Sequence, residues 1–271
     1  MIRFVSFKRL KFCLQTKSPA ISKLKVILWF LIRTPLRVSL GWEKMESILK
    51  NIEKQQITSK MQDNSVFIHS IEEIANLHEI YGEKKQELMK FKKNPKIVLD
   101  VGAHIGILSV KFAKMYKKVK IYAIEPEKEN FKKLITNIKL NRLEKTICPI
   151  RIALLDKSGV MKLGLCQFDS GSHSLFIKNA KSEKVKVTTL DQIRRKIKRK
   201  IDLIKIDTEG SEYKILISGS RCLKKDKPKL IIETHPKYDK MIDEKILTFL
   251  KQLRYNFKKF STPDGSIIFA W

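Results

Sequence analysis

One stretch constrains the fold of this chain more than any other: Lys96–Ser109, KIVLDVGAHIGILS. Ile97, Val98 and Leu99 make an apolar run that ends in Asp100. Gly102 and Gly106 bracket a tight loop, after which an apolar helix is expected to start. A strand, a glycine loop and a helix N-terminus in that order bring backbone N–H groups up to a ligand. The spacing is G-x-x-x-G and not the dinucleotide G-x-G-x-x-G, so the segment alone speaks only for a nucleotide-type cofactor.

From this point the sequence alternates between strand and helix. Strands are expected over Lys96–Val101, Val119–Ile124, Ile147–Ala153, Ile201–Ile206 and Lys229–Glu233. Helices are expected over Ile107–Tyr116, Glu127–Leu140, Ser211–Leu223 and Asp239–Leu253. Such alternation builds a mostly parallel sheet covered by helices on both faces. Asp156–Val187 interrupts it with short alternating runs and glycines, and reads as a β-rich insertion of hairpins. Tyr255–Phe260 and Ser266–Ala270 pair across a Pro263-Asp264-Gly265 turn, adding an antiparallel hairpin at the end. The expected architecture is therefore α/β and Rossmann-like. It has a mostly parallel seven-stranded sheet with that C-terminal hairpin, the insertion, and a helical N-terminal extension. The extension is taken as 1–60 and the main domain as 61–271.

The extension is basic. Met1–Lys60 holds thirteen Lys/Arg against three Glu. Its apolar run Val26–Ile32, VILWFLI, is far shorter than the roughly 20 residues that cross a bilayer. No small-residue cleavage site follows, which argues against a signal peptide. Two readings stay open: a helix packed within the protein, or peripheral membrane contact through 23–37 with Trp29 and Phe30 at headgroup level. Lys44–Gln56 reads as a polar amphipathic helix leading into the main domain.

The whole chain of 271 residues carries a net charge of +29. That charge is met either by solvated lysine-rich faces or by an anionic partner such as RNA or a membrane surface. Its densest run, Arg194–Lys200, follows Thr189 and Asp191, either of which can cap a helix, so the run suits an exposed helix end. Cys13, Cys148, Cys166 and Cys222 form no C-x-x-C pair. Neither a zinc ribbon nor a disulfide framework is indicated, and a reducing cytoplasmic setting is the simplest expectation. The five histidines are scattered without ligand spacing, so no metal site is expected.

Ligands of open α/β sheets sit beyond the carboxyl ends of the strands. Here four expected strand ends carry acids: Asp100, Glu125, Asp207 and Glu233. Glu125 stands 23 residues after Gly102, where a carboxylate accepts hydrogen bonds from a ribose diol. Pro126 then stops the strand. Asp100 beside the loop Gly102, Ala103, His104 and Gly106 suits an ammonium and a sulfonium better than a pyrophosphate. That choice favours S-adenosyl-L-methionine over NAD. Pro126, with Ala153 and Leu154 where the third strand ends and Asp207 where the fourth does, completes the cofactor side.

Lys205-Ile206-Asp207-Thr208-Glu209-Gly210-Ser211-Glu212 clusters a lysine and three acids at a buried strand end, where polar groups are costly unless used. Lys205, Asp207 and Glu209 are the candidate catalytic residues: a carboxylate near the methyl group can orient or deprotonate a hydroxyl. Glu212 reads as a cap for the next helix.

With these pieces in place the chain resembles the FkbM-type S-adenosylmethionine-dependent methyltransferases. The segments that carry the resemblance are VLDVGAHIGILS, YAIEPEKENFKKLITNIKLN, VTTLDQI, IDLIKIDTEGSEYKIL and KLIIETHP, in order over about Lys96–Pro236. His104 departs from the family, which more often has Asn there. The resemblance implies a class I methyltransferase fold and methylation of a hydroxyl on a sugar, glycan or other small metabolite. It also implies that Asp100, Gly102, Gly106 and Glu125 face the cofactor and that Asp207 and Glu209 lie on the catalytic side. Asp169 and His173 of the insertion, with Glu233 and His235, would line the acceptor side. An RNA methyltransferase using the basic surface and a non-catalytic binding module are the competing readings.

Overall fold

The computed structural model describes residues 7–40, 56–71, 73–81, 91, 93–166, 171, 173–177, 181–262 and 264–271. The chain divides into two compact units, Met1–Lys90 with Thr136–Arg142, and Phe91–Ile135 with Leu143–Trp271.

In the larger unit, the apolar run identified first becomes β3, Ile97–Val101, with all five residues buried. It is an interior strand of a seven-stranded sheet. Around it are β4 (Lys120–Ile124), β5 (Ile147–Ile150), β9 (Leu203–Ile206), β10 (Lys229–Thr234), β11 (Phe257–Thr262) and β12 (Gly265–Ala270). The order is β11-β12-β10-β9-β3-β4-β5. Six strands point the same way, and β12, inserted between β10 and β11 near one edge, runs antiparallel to both. This is the sheet the sequence led us to expect. Its apolar faces are covered by helices and close a core that includes Leu99, Val101, Ile204, Ile206, Leu216 and Ile232.

The topology matters for ligands. From β3 the chain moves outward through β4 and β5, then crosses back to lay β9 against the other side of β3. Such a reversal opens a crevice at the carboxyl ends of the two strands where the order switches. Asp100 pairs in register with Lys205 across it.

Helices α4 (Ile107–Met115), α5 (Lys128–Leu140), α6 (Leu190–Ile197), α7 (Glu212–Ser218), α8 (Ser220–Asp226) and α9 (Ile242–Gln252) connect the strands. The single helix expected over Ser211–Leu223 is two helices. Gly219 caps the first and starts the second, and a Cβ there would lie 2.2 Å from Leu190 Cδ2. The insertion forms its own small sheet from β6 (Ala153–Leu154), β7 (Gly159–Gly164) and β8 (Ser182–Thr188). It packs Ala153, Leu163, Val185 and Val187 together.

The Thr189 side chain caps α6 by accepting from Gln192 N. The basic run thus forms the end of that helix and the turn after it. Its first cation, Arg194, is bound to Asp226, whose carboxyl is held below its usual range against the opposing effect of burial.

The smaller unit contains α1 (Phe7–Gln15), α2 (Ala20–Leu40), α3 (Ile74–Tyr81) and a hairpin of β1 (Gln56–Lys60) with β2 (Val66–Ser70). The second strand is bonded along its free edge by two side chains. Val66 N donates to Asn141 Oδ1 at 2.9 Å and Ile68 N to Asn137 Oδ1 at 2.7 Å. The same two amides donate back to the carbonyls of Val66 and Ile68. Two asparagines spaced i, i+4 thus serve as a substitute strand. Of the amphipathic helix expected at Lys44–Gln56, residues 44–55 lie outside the described residues, and Gln56 opens β1.

For Trp29 the packed alternative holds and the headgroup one does not. Trp29 is 2% exposed and packs with Cys13, Val26, Ile57, Ile71 and Ile74. It is not available to a headgroup, and the side chain of Phe30 lies outside the described residues. Among the described residues no helix is long and apolar enough to cross a membrane.

Candidate active site

The glycine loop after β3 is shaped by a close approach. Gly102 has φ +77°, and a Cβ on it would fall 1.7 Å from the carbonyl oxygen of Asp207. Only glycine lets the ends of β3 and β9 meet this closely. Gly106 has φ +86°, and a Cβ there would lie 2.5 Å from Leu134 Cδ1. Gly102 N and Ala103 N both donate to Ile124 O, at 3.0 and 2.9 Å, which ties the loop to the end of β4. His104 sits in the left-handed region at φ 52°.

Glu125 follows β4 and is 6% exposed. Its Oε2 accepts from His104 N and its Oε1 from Glu127 N, each at 2.9 Å. These two amides fix the carboxylate in the crevice and leave each oxygen further acceptor capacity. Burial pushes its pKa up to about 7, against the opposing pull of the two amide bonds. Pro126 O accepts from Arg151. Ala153 and Leu154 follow β5 in the chain and pair with Val187 and Thr188 of β8. The Leu154 side chain belongs to the core, so that position offers a ligand only its backbone.

Asp100 is fully buried. Its Oδ2 accepts from Ser109 Oγ at 2.6 Å, and Oδ1 lies 3.6 Å from the Lys205 ammonium. Among the described residues none donates a hydrogen bond to Oδ1. Lys205 Nζ donates to Gly102 O at 2.9 Å and reaches Asp207 at 3.3 Å. Burial alone would lower the lysine pKa, but Asp207, Asp100 and Glu233 hold it above its ordinary value.

Beyond β9 the acids converge on one histidine. His235 Nε2 lies 3.4 Å from Glu209 Oε1 and 3.7 Å from Asp207 Oδ1. Its Nδ1 meets Glu212 Oε1 at 2.9 Å. Burial opposes the charge on this ring, yet the Glu212 bond and the three carboxylates raise its pKa to about 9. A pKa in that range keeps the ring charged near neutral pH, with Nδ1 donating to Glu212 and Nε2 facing Asp207 and Glu209. Glu209 also pairs with Lys237 at 2.7 Å. Burial raises the Glu209 pKa, while His235 and Lys237 pull it back.

Glu212 does more than cap a helix. It has no exposed surface, and its carboxylate accepts from Thr208 N and Gly210 N while holding His235. It therefore fixes the loop that presents Glu209, itself at φ 54°. A sequence signal for this was an acid opening an apolar helix whose other face is core. Lys237 had no such signal.

The structure brings Lys205, Asp207, Glu209, Glu233 and His235 to one rim with Asp100, Gly102 and Glu125. His173 accepts from Cys166 N at 2.9 Å, within its own loop. The insertion reaches the cluster through Ser174, whose hydroxyl donates to Glu209 O at 2.6 Å. Asp169 lies outside the described residues.

Residues 100–257 match the family model described as the Methyltransferase FkbM domain, which covers more than half of the chain. The chain belongs to the FkbM methyltransferase family. The cofactor expected from the sequence is S-adenosylmethionine. No curated protein sequence matches it. Among solved structures it resembles the FkbM methyltransferase from Methylobacillus flagellatus KT, at 16% identity and a TM-score of 0.53. That likeness covers 97% of this chain and 58% of the other, so the chain spans a little over half of its relative's length. A putative caffeoyl-CoA O-methyltransferase from Staphylococcus aureus is 17% identical over 73% of this chain and 88% of that one, at a TM-score of 0.49. Aeropyrum pernix fibrillarin with natively bound S-adenosyl-L-methionine is 14% identical over 80% and 94%, at 0.45.

The residues at the rim of this FkbM domain fit that cofactor. The buried Asp100 Oδ1 without a donor and the fixed Glu125 carboxylate present acceptors for an ammonium and for ribose hydroxyls.

Proposed function

We propose that this chain transfers a methyl group to a hydroxyl oxygen of a small metabolite or glycan. S-adenosylmethionine supplies an electrophilic methyl group on a sulfonium. Asp100 and the Gly102–Gly106 loop hold its amino-acid end, and Glu125 accepts from its ribose hydroxyls. On the acceptor side, Asp207 and Glu209 orient the hydroxyl and take its proton as the new O–C bond forms and the S–C bond breaks, sulfur keeping the electron pair.

His235 does not act as the base in this reading, because it is already protonated at neutral pH. It holds the two carboxylates side by side, and most of the rate gain comes from that positioning and from proton removal. In this reading Glu233, with His173 of the insertion, lines the acceptor side. The observation that carries the reading is the convergence of Asp207 and Glu209 on His235 beside the Gly102 loop. An RNA acceptor has no comparable support, since the basic run begins with an arginine already bound to Asp226.

The test is transfer of labelled methyl groups to pools of glycans and hydroxylated metabolites. Glu209→Gln should lose about a hundredfold or more in rate while still binding S-adenosylmethionine. Undiminished transfer by that variant, or transfer to RNA alone, overturns the proposal.

A further inference from the structure

Helix α2 is apolar on two sides. One side, with Val26 and Trp29, is buried in the smaller unit at 1% and 2% exposure. The other side presents Ile21, Leu24, Leu28 and Leu31, exposed at 67%, 53%, 46% and 61%. At 3.6 residues per turn these four fall within an arc of about 80°. A helix that buries one apolar stripe and exposes another of this size has a second surface to meet.

The charge around the stripe selects that surface. The first 42 residues contain nine Lys/Arg and not one Asp or Glu. Lys25 lies beside the stripe and is half-buried. Lys23 is turned back onto Leu14 O at 2.9 Å and so belongs to the helix pair itself.

We infer that the Ile21–Leu24–Leu28–Leu31 face of α2 seats on an anionic lipid surface. Aliphatic side chains enter the acyl boundary while the surrounding cations meet the headgroups, the arrangement of helices that lie in the plane of a membrane. A second copy of the chain is a poorer occupant, because face-to-face pairing would bring two acid-free, cationic segments together. Nucleic acid would use the charge but leave the four aliphatic side chains without a partner. This face differs from the Trp29 and Phe30 reading of the sequence, and the inference stands apart from the identity of the methyl acceptor.

The test is co-sedimentation of the full chain with vesicles of phosphatidylcholine alone or mixed with phosphatidylglycerol. The wild-type chain should pellet with the anionic vesicles, weakly with the neutral ones, and less as salt rises. Leu24→Glu with Leu28→Glu should weaken vesicle binding at least tenfold. Both positions are exposed, so the circular dichroism and cofactor binding of the double variant should match the wild type. A second variant, Leu24→Ser with Leu28→Ser, removes the apolar surface without adding charge and should also lose binding. Absence of binding to anionic vesicles, or binding that neither variant changes, overturns the inference. So does a concentration-dependent dimer that both variants abolish.

Discussion

His235 Nδ1 lies 2.9 Å from Glu212 Oε1, a carboxylate with no exposed surface. The bond crosses from the start of α7 to the residue after β10 and locks the loop carrying Glu209 between them. Glu212→Ala should strand the histidine and two backbone amides, at a cost of about 3 kcal/mol in urea unfolding. Glu212→Gln, which keeps an acceptor but not the charge, should cost less and should lower the His235 pKa from about 9. An NMR titration of the ring checks this. The sign also follows: a histidine with a raised native pKa stabilises the fold fully below its unfolded value, and that contribution is lost as pH climbs through about 9.

Glu125 behaves in the opposite sense. Its native pKa of about 7 lies above the unfolded carboxylate value. Between pH 4.5 and 7 the native state therefore holds the extra proton, and stability falls as pH rises across that window. Cofactor affinity should rise over the same range, because the ionised carboxylate is the better acceptor for ribose hydroxyls. Calorimetric titrations at pH 6 and pH 8 should show tighter binding at the higher value, and Glu125→Gln should flatten the difference.

Lys205 answers two acids at once. Lys205→Met should leave Asp100 buried without its ion pair and Asp207 short of a cation, destabilising the protein by about 3 kcal/mol. Thermal unfolding should also show that the additional Asp100→Asn change recovers part of the loss, since it removes the stranded charge.

How much of this was legible in the sequence depends on the range of the interactions. β3, β4, β9 and β10 are apolar runs closed by Asp, Glu or Thr, so local pattern sufficed for the sheet and for the four acids at its rim. The β1–β2 hairpin was not legible. QITSK and VFIHS are short and mixed, and the bonds along β2 come from Asn137 and Asn141, about 70 residues downstream. Glu212 read as a helix cap for the same reason: its main partner, His235, is 23 residues away. Trp29 looked interfacial beside its cations, but packing against Cys13 and Ile71 overrode that pattern.

Gly102 tests whether β3 and β9 must meet as closely as they do. Gly102→Ala places a methyl against the Asp207 carbonyl and forces a positive φ that costs about 1 kcal/mol before any clash. The variant should lose at least tenfold in cofactor affinity, and unfolding should show a stability loss larger than the backbone strain alone.

The most direct measurement is calorimetric titration of S-adenosylmethionine into the full chain and into Glu125→Ala. The wild-type protein should bind one equivalent, and the variant should bind none within the measurable range while keeping its fold by circular dichroism. Equal binding by both proteins, or no heat from the wild type at millimolar cofactor, would contradict the placement of the methyl donor at the ends of β3 and β4.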